Sequence, residues 1–193
     1  MIKLNYESGG HVLYDGLSKT RELMSPSDRN LLYKVSHFLQ IDANFDFIVS
    51  NEAGRRIRER LKIPSDREIV CDIVAHNVHC VWVLIERGRK RLEEAVAQLE
   101  NTLRWLSVFV RKEGWKYKEG FCVVVLESLS RIDKKRYGIV EGKLYTKGIG
   151  KRNKKKEFRD TICVRDIYGE CTARLFVLRE NIELKKFYRR KRK

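Results

Sequence analysis

An α/β fold, with a small mixed β-sheet flanked by helices, is what this sequence predicts, on three observations. Two β-rich apolar runs, 68–75 and 80–86, flank the polar stretch 76–79, which reads as a hairpin turn. A third apolar run, 121–126, follows a long segment in which Leu92, Ala95, Val96, Leu99, Leu103, Leu106 and Val110 recur at helical spacing. The runs are apolar on both faces, as expected of strands covered on two sides.

The remaining elements follow in chain order. Gly9-Gly10 and Asp15-Gly16 are turn signals around a short strand at 11–14. Ser25-Pro26-Ser27-Asp28 reads as a helix start, with Ser25 or Ser27 at the cap, and Leu31, Leu32, Val35, Phe38 and Leu39 supply its stripe. A second helix is expected over 46–61, ending before Pro64 and rich in arginine. In the last third, 161–165 and 172–178 flank a turn at 166–170, and a basic helix is expected from about Glu180. The organisation expected is an extension of mixed helix and strand at 1–44, a core at 45–130 and a basic extension at 131–193 packed on that core.

Charge is concentrated at one end. The chain has 193 residues, with 42 Lys+Arg against 26 Asp+Glu, a formal net charge of +16. Residues 131–193 hold 22 of the cations and 8 of the anions, so most of the excess lies there. The densest runs are 151–156 and 185–193. Runs of this kind seek polyanions, and Lys151, Arg152, Lys154, Lys155, Lys156, Arg189 and Arg190 are the candidate nucleic-acid contacts. Tyrosines and phenylalanines interleaved with them, Tyr137 and Tyr145 included, can stack on bases. Phe176 is expected in the core.

Several classes are excluded. No apolar run approaches the ~20 residues of a membrane helix, the basic tail has no apolar stripe for a membrane surface, and the N-terminus lacks a signal-peptide stretch. Five cysteines, an odd number with no C-x-x-C, read as reduced core residues of an intracellular protein, cytoplasmic in location. His76, His79, Cys71 and Cys80 fall on one hairpin without a second ligand pair, which argues against zinc and makes the histidines turn residues. No phosphate-binding P-loop or nucleophile elbow is present.

Two carboxylates stand out. Asp72 interrupts one apolar run and Glu86 ends the next, and burying either is costly without compensation. A shared divalent cation is one compensation. A three-residue hairpin loop makes strand partners sum to an even number and puts both on one face, whereas a two-residue loop gives an odd sum and puts them on opposite faces. With partners summing to 156, Asp72 faces Leu84 and Glu86 is its diagonal neighbour, ~7–8 Å away at Cα and within reach of one ion.

Glu52 on a helix, Asp72 in one strand, Glu86 ending the next, then Arg89-Lys90 and an amphipathic helix resemble the PD-(D/E)XK nuclease superfamily. The stretch from Asp66 to Glu100 looks like its archaeal branch, which includes Holliday-junction resolvases and nuclease-like proteins of archaeal viruses. The resemblance covers about 45–128 and implies a restriction-endonuclease-like core. It implies that Asp72 and Glu86 hold Mg²⁺ or Mn²⁺, with Glu52 as a further ligand, and that a lysine steadies the attacking water. It also implies an accessory polar residue, matched by Gln98, and a homodimer acting on DNA, branched DNA included. The chain has Gly88 where the family has its lysine. Lys90 or Arg87 would supply the cation from a shifted position, and Lys90 keeps strand parity. The function expected is therefore metal-dependent DNA endonuclease. A decayed nuclease fold that only binds nucleic acid is the alternative. A helix-turn-helix regulator using 27–61 is the third reading.

Overall fold

The computed structural model describes residues 6–7, 10–14, 21–23, 25–50, 55–64, 70–88, 91–147, 158–166 and 169–185. Strands β1 (Tyr6–Glu7), β2 (Gly10–Tyr14) and β3 (Arg21–Leu23) form a small antiparallel sheet. Helix α1 (Pro26–Leu39) starts where the sequence signals it. Ser25 caps it by accepting the Asp28 backbone N–H at 3.1 Å, and Pro26 fills the first turn. It ends at Gln40, which takes a left-handed conformation.

The helix expected over 46–61 does not form as such. Its first part is strand β4 (Phe45–Ser50), and only α2 (Arg55–Leu61) is helical. Phe45, Phe47, Ile48 and Val49 are aromatic or β-branched and are buried in a sheet, where such side chains pack best. In α2 only Ile57 and Leu61, one helical turn apart, reach the core. A sheet strand therefore separates α1 from α2, so 27–61 does not form a helix-turn-helix.

Strands β5 (Ile73–Asn77) and β6 (Val81–Gly88) form the central hairpin, followed by α3 (Leu92–Lys112) and β7 (Glu119–Leu126). Beyond β7 come α4 (Arg131–Arg136), β8 (Tyr137–Val140), β9 (Lys143–Thr146), β10 (Phe158–Arg159), β11 (Thr161–Asp166) and β12 (Gly169–Arg179). The main sheet has six strands in the order β11-β12-β7-β6-β5-β4. β4, β5 and β6 run antiparallel, β6, β7 and β12 are parallel, and β11 returns antiparallel. The sheet thus crosses the boundary expected near residue 130, because β11 and β12 are strands of the same sheet as β4–β7. A smaller antiparallel sheet, β10-β9-β8, is tied to the edge of β12 by the Val177 N–H, which donates to the Gly142 carbonyl at 2.7 Å.

Each face of the main sheet carries its own core. Trp82, Leu84, Cys122 and Val124 pack with Leu99, Leu103 and Leu106 of α3. Ile73, Ala75, Val83, Ile85 and Val123 pack with Leu31, Leu32 and Val35 of α1. This two-sided cover is why β5 and β6 read as unbroken apolar runs. Phe176 is half-buried against the α1-side core. Among the described residues no helix is long and apolar enough to cross a membrane. Residues 180–185 form turns and the start of a 3₁₀ turn rather than the expected helix, whose remainder lies outside the described residues.

No disulfide links the five cysteines. Cys71, Cys122 and Cys171 are buried as expected. Cys80 is half-buried, and Cys163 is exposed on β11, where its neighbours Ile162 and Val164 turn inward instead.

Candidate functional site

The central hairpin turns later than the sequence suggests. Asn77 belongs to β5, and its side-chain carbonyl accepts the N–H groups of both His79 and Val81 at 3.0 and 3.1 Å. That closes the turn over Val78, His79 and Cys80, with Cys80 in a left-handed conformation. Ile73 then pairs with Ile85 and Val74 with Leu84, so partners sum to 158 rather than 156. Parity is unchanged but the offset is not. Asp72 lies one residue beyond the last paired row, so the ladder itself does not set it against Glu86.

The ladder breaks at this point. The Asp72 N–H donates to the Ile85 carbonyl at 2.9 Å, and Asp72 Oδ2 accepts the Arg87 N–H at 2.7 Å. A carboxylate has taken the place of a backbone carbonyl as the acceptor at the end of β6. Glu86 continues the Trp82–Leu84 face under α3 and is 1% exposed. Both carboxylates lie near Cys71. Burial pushes its thiol well above the ordinary thiol pKa, a hydrogen bond with Thr102 opposes this, and the charges of Glu86 and Asp72 add to the rise. Cys71 therefore stays a neutral thiol beside two hard oxygen donors, a setting that suits Mg²⁺, Mn²⁺ or Ca²⁺ better than zinc.

Helix α3 holds the segment leading into Asp72. Thr102 Oγ1 accepts the Cys71 N–H at 2.9 Å, and the Gln98 side-chain amide donates to the Val70 carbonyl at 3.3 Å. Gln98 is buried, so it positions the strand that carries Asp72. The N-terminus of α3 has no side-chain cap of its own. Buried Asp133 of α4 reaches it instead: its Oδ2 accepts the Leu92 N–H at 3.4 Å and the Ser130 hydroxyl at 2.6 Å. Ser130-x-x-Asp133 is a capping signature that sequence reading passes over.

The candidate cations fall as follows. Arg87 is committed to α1, donating to Asp28 Oδ1 at 2.7 Å and to Ser27 Oγ at 2.8 Å, and its odd position puts it on the face away from Glu86. It does not serve the carboxylate pair. Gly88 has φ +149°, a conformation that side chains rarely adopt, although no atom lies within 4 Å of where a Cβ would stand. Glu52, Lys90, Lys151, Arg152, Lys154, Lys155, Lys156, Arg189 and Arg190 all lie outside the described residues. Among the described residues no three His, Cys, Asp or Glu side chains are grouped to hold a metal ion.

The histidines differ from expectation too. His79 lies in the turn beside Asp42. His76 is a buried strand residue: its Nδ1 lies 2.6 Å from Asp46 Oδ1, and its ring packs on Trp82 and Trp115 at 4.6 and 5.0 Å. It braces the sheet end opposite to Asp72.

The chain matches no family model, no curated protein and no solved structure.

Proposed function

We propose that this chain is a metal-dependent nuclease that hydrolyses phosphodiesters of DNA, with Asp72 and Glu86 as its metal ligands. The observation that carries the reading is that Asp72 is hydrogen-bonded to both chain neighbours of Glu86, Ile85 and Arg87, with both carboxylates close enough to Cys71 to raise its pKa. The order α2, β5, β6, α3, β7 adds support, because it is the helix–strand–strand–helix–strand context on which the nuclease resemblance rests. Glu52 follows two residues after Ser50, which pairs with Ile73 beside Asp72, and is proposed as the third ligand. Lys90 is proposed as the cation.

When bound, the divalent ion lowers the pKa of a coordinated water and offsets charge on the scissile phosphate. The chain supplies the orientation. The Arg87 N–H fixes one oxygen of Asp72, so the carboxylate keeps one direction. Gln98 and Thr102 keep the strand that carries Asp72 from shifting. Burial of Glu86 lowers the local dielectric and strengthens its attraction for a cation. The basic segments at 151–156 and 185–193 hold the backbone of the nucleic acid.

Incubation of linear, flapped and four-way-junction DNA with Mg²⁺ or Mn²⁺ tests this. Cutting is expected, and Asp72→Asn and Glu86→Gln each abolish it. Intact binding with no cutting of any substrate refutes it.

One observation favours a second reading, a nucleic-acid-binding protein without hydrolysis. The backbone at Gly88, where the family carries lysine, takes a conformation a lysine would occupy only under strain. That reading expects salt-sensitive binding that is independent of metal and unaffected by Asp72→Asn.

A further inference from the structure

A cleft of about 430 Å³ opens where β7 and β12 end, between the end of β12 and the β8–β9 hairpin. Its size is that of a small-molecule site. Lys134, Lys147, Tyr137, Tyr145 and Arg179 line it, and among the described residues Glu127 is its one acidic lining residue. Arg179 is neutralised by a two-pronged contact with Glu183. Lys134 and Lys147 have no ion-pair partner among the described residues. Lys147 is nonetheless fixed. Its Nζ donates to the Lys134 carbonyl at 2.8 Å, and its backbone N–H donates to the Arg136 carbonyl at 2.7 Å. One hydrogen bond leaves two ammonium donors for an anion.

The aromatic wall is equally fixed. Gly138 and Tyr145 are cross-strand partners, and a Cβ on Gly138 would fall 2.2 Å from Tyr145 Cζ. Only glycine lets the ring come this close to β8, where Tyr145 lines the cleft. Tyr137 is pinned by its hydroxyl, which donates to Glu93 at 2.8 Å. Tyr145 and Lys147 are two residues apart at the end of β9, about 7 Å between Cα atoms.

We propose that this cleft seats one unstacked nucleotide, its base on the ring of Tyr145 and its phosphate on Lys134 and Lys147. The cleft lies at the same end of the sheet as the carboxylate pair. Arg179 is two strands across from Glu86 and two residues further along, about 12 Å. Seating a nucleotide requires no metal and no cutting, so this proposal stands apart from the nuclease reading. The nucleotide has two sources, an unpaired position in a nucleic-acid strand or a free mononucleotide.

The test uses the full chain in EDTA, with fluorescein-labelled dT10 and with AMP as probes. Tyr145→Ala is expected to weaken dT10 binding about 5- to 150-fold, the range of one base–aromatic stack. Tyr145→Phe, which keeps the ring, should stay within about twofold. Replacing Lys134 and Lys147 together by Gln should flatten the slope of log affinity against log salt by about 1.4. If AMP displaces dT10 and binds Tyr145-dependently, the cleft takes free nucleotides as well. If dT10 binding depends on Tyr145 but AMP does not compete at 10 mM, the strand is the source. If only AMP binds in this way, the free nucleotide is the ligand. The proposal is overturned if Tyr145→Ala, folded by circular dichroism, binds both probes as the parent does. It is equally overturned if inorganic phosphate displaces them as well as AMP does.

Discussion

Replacing Glu86 by Gln should stabilise the metal-free protein, the reverse of what a buried substitution usually does. Asp72 is hydrogen-bonded to both chain neighbours of Glu86, and carboxylates near enough to share one ion stand about 5 Å apart. Two unit charges at that distance repel by about 3 kcal/mol at an effective dielectric of 20. Asp72 is half-exposed, and solvent screening reduces this to about 1–2 kcal/mol. In a chain of this size each 1 kcal/mol moves Tm by about 2–4 °C, so Glu86→Gln in EDTA should melt about 2–8 °C above the parent. Metal reverses the order. An ion at a hundred times its Kd stabilises the parent by about 2.7 kcal/mol, some 5–11 °C, and the variant by far less. Thermal melts in EDTA and in 10 mM MnCl₂ read both effects. If Glu86→Gln melts lower than the parent in EDTA and Mn²⁺ raises both equally, the two carboxylates neither oppose each other nor share an ion.

Three more outcomes follow from named residues. With six phosphates neutralised by the basic segments, duplex affinity should fall with log salt at a slope of about −5, measured by fluorescence anisotropy; Lys151, Lys154, Lys155 and Lys156 changed together to Gln should flatten it by about 3.6. Gly88→Lys should cost about 1–3 kcal/mol in urea melts although space for the side chain exists, because the penalty lies in the backbone at φ +149°; an unchanged midpoint would show that the loop relaxes freely. The Cys163 thiol hydrogen-bonds Glu170, which raises its pKa and lowers that of Glu170. Glu170→Gln should bring the thiol pKa down, so that Cys163 reacts faster with a disulfide reagent at pH 8, while buried Cys71 and Cys122 stay unreactive until unfolding.

The parts legible in the sequence are those set by local pattern. Ser25-Pro26 announces α1, the 3–4 stripe announces α3, and the apolar runs announce β5, β6 and β7. The even parity of the β5–β6 ladder is legible as well, because any three-residue loop gives it whatever the loop's position. The offset is not, since it depends on Asn77 folding its side chain back on His79 and Val81. β4 reads as helix because Phe45–Ser50 precedes an arginine-rich helix, and a short apolar run has no period of its own that excludes helix. That β12 joins β7 is invisible, because 42 residues separate Leu126 from Gly169 and only tertiary packing unites them. The cleft is invisible for the same reason, although Tyr137 and Tyr145 are stacking candidates on sequence alone.

The end of the sheet that carries Asp72 also gathers the N-termini of α1 and α3, and this narrows where a polyanion can settle. Helix N-termini attract phosphate, but both of these are already occupied. At α1, Ser25 bonds the Asp28 N–H, and the Asp28 carboxylate holds Arg87 in place. At α3, Asp133 takes the Leu92 N–H, and Glu93 beside it holds Arg136 and Tyr137. These two occupied helix starts and the carboxylates of Asp72 and Glu86 keep phosphate from the middle of this end. A nucleic-acid strand can approach only where cations outweigh them, as Lys134 and Lys147 do in the cleft. With a divalent ion on Asp72 and Glu86 the middle changes sign, and a strand anchored in the cleft can continue towards it. Metal should therefore tighten DNA binding as well as permit cutting, and the tightening should vanish in Asp72→Asn. A parent protein that binds dT10 equally in EDTA and in Ca²⁺, an ion that supports binding more readily than hydrolysis, would break this link between the charge of the sheet end and the path of the strand.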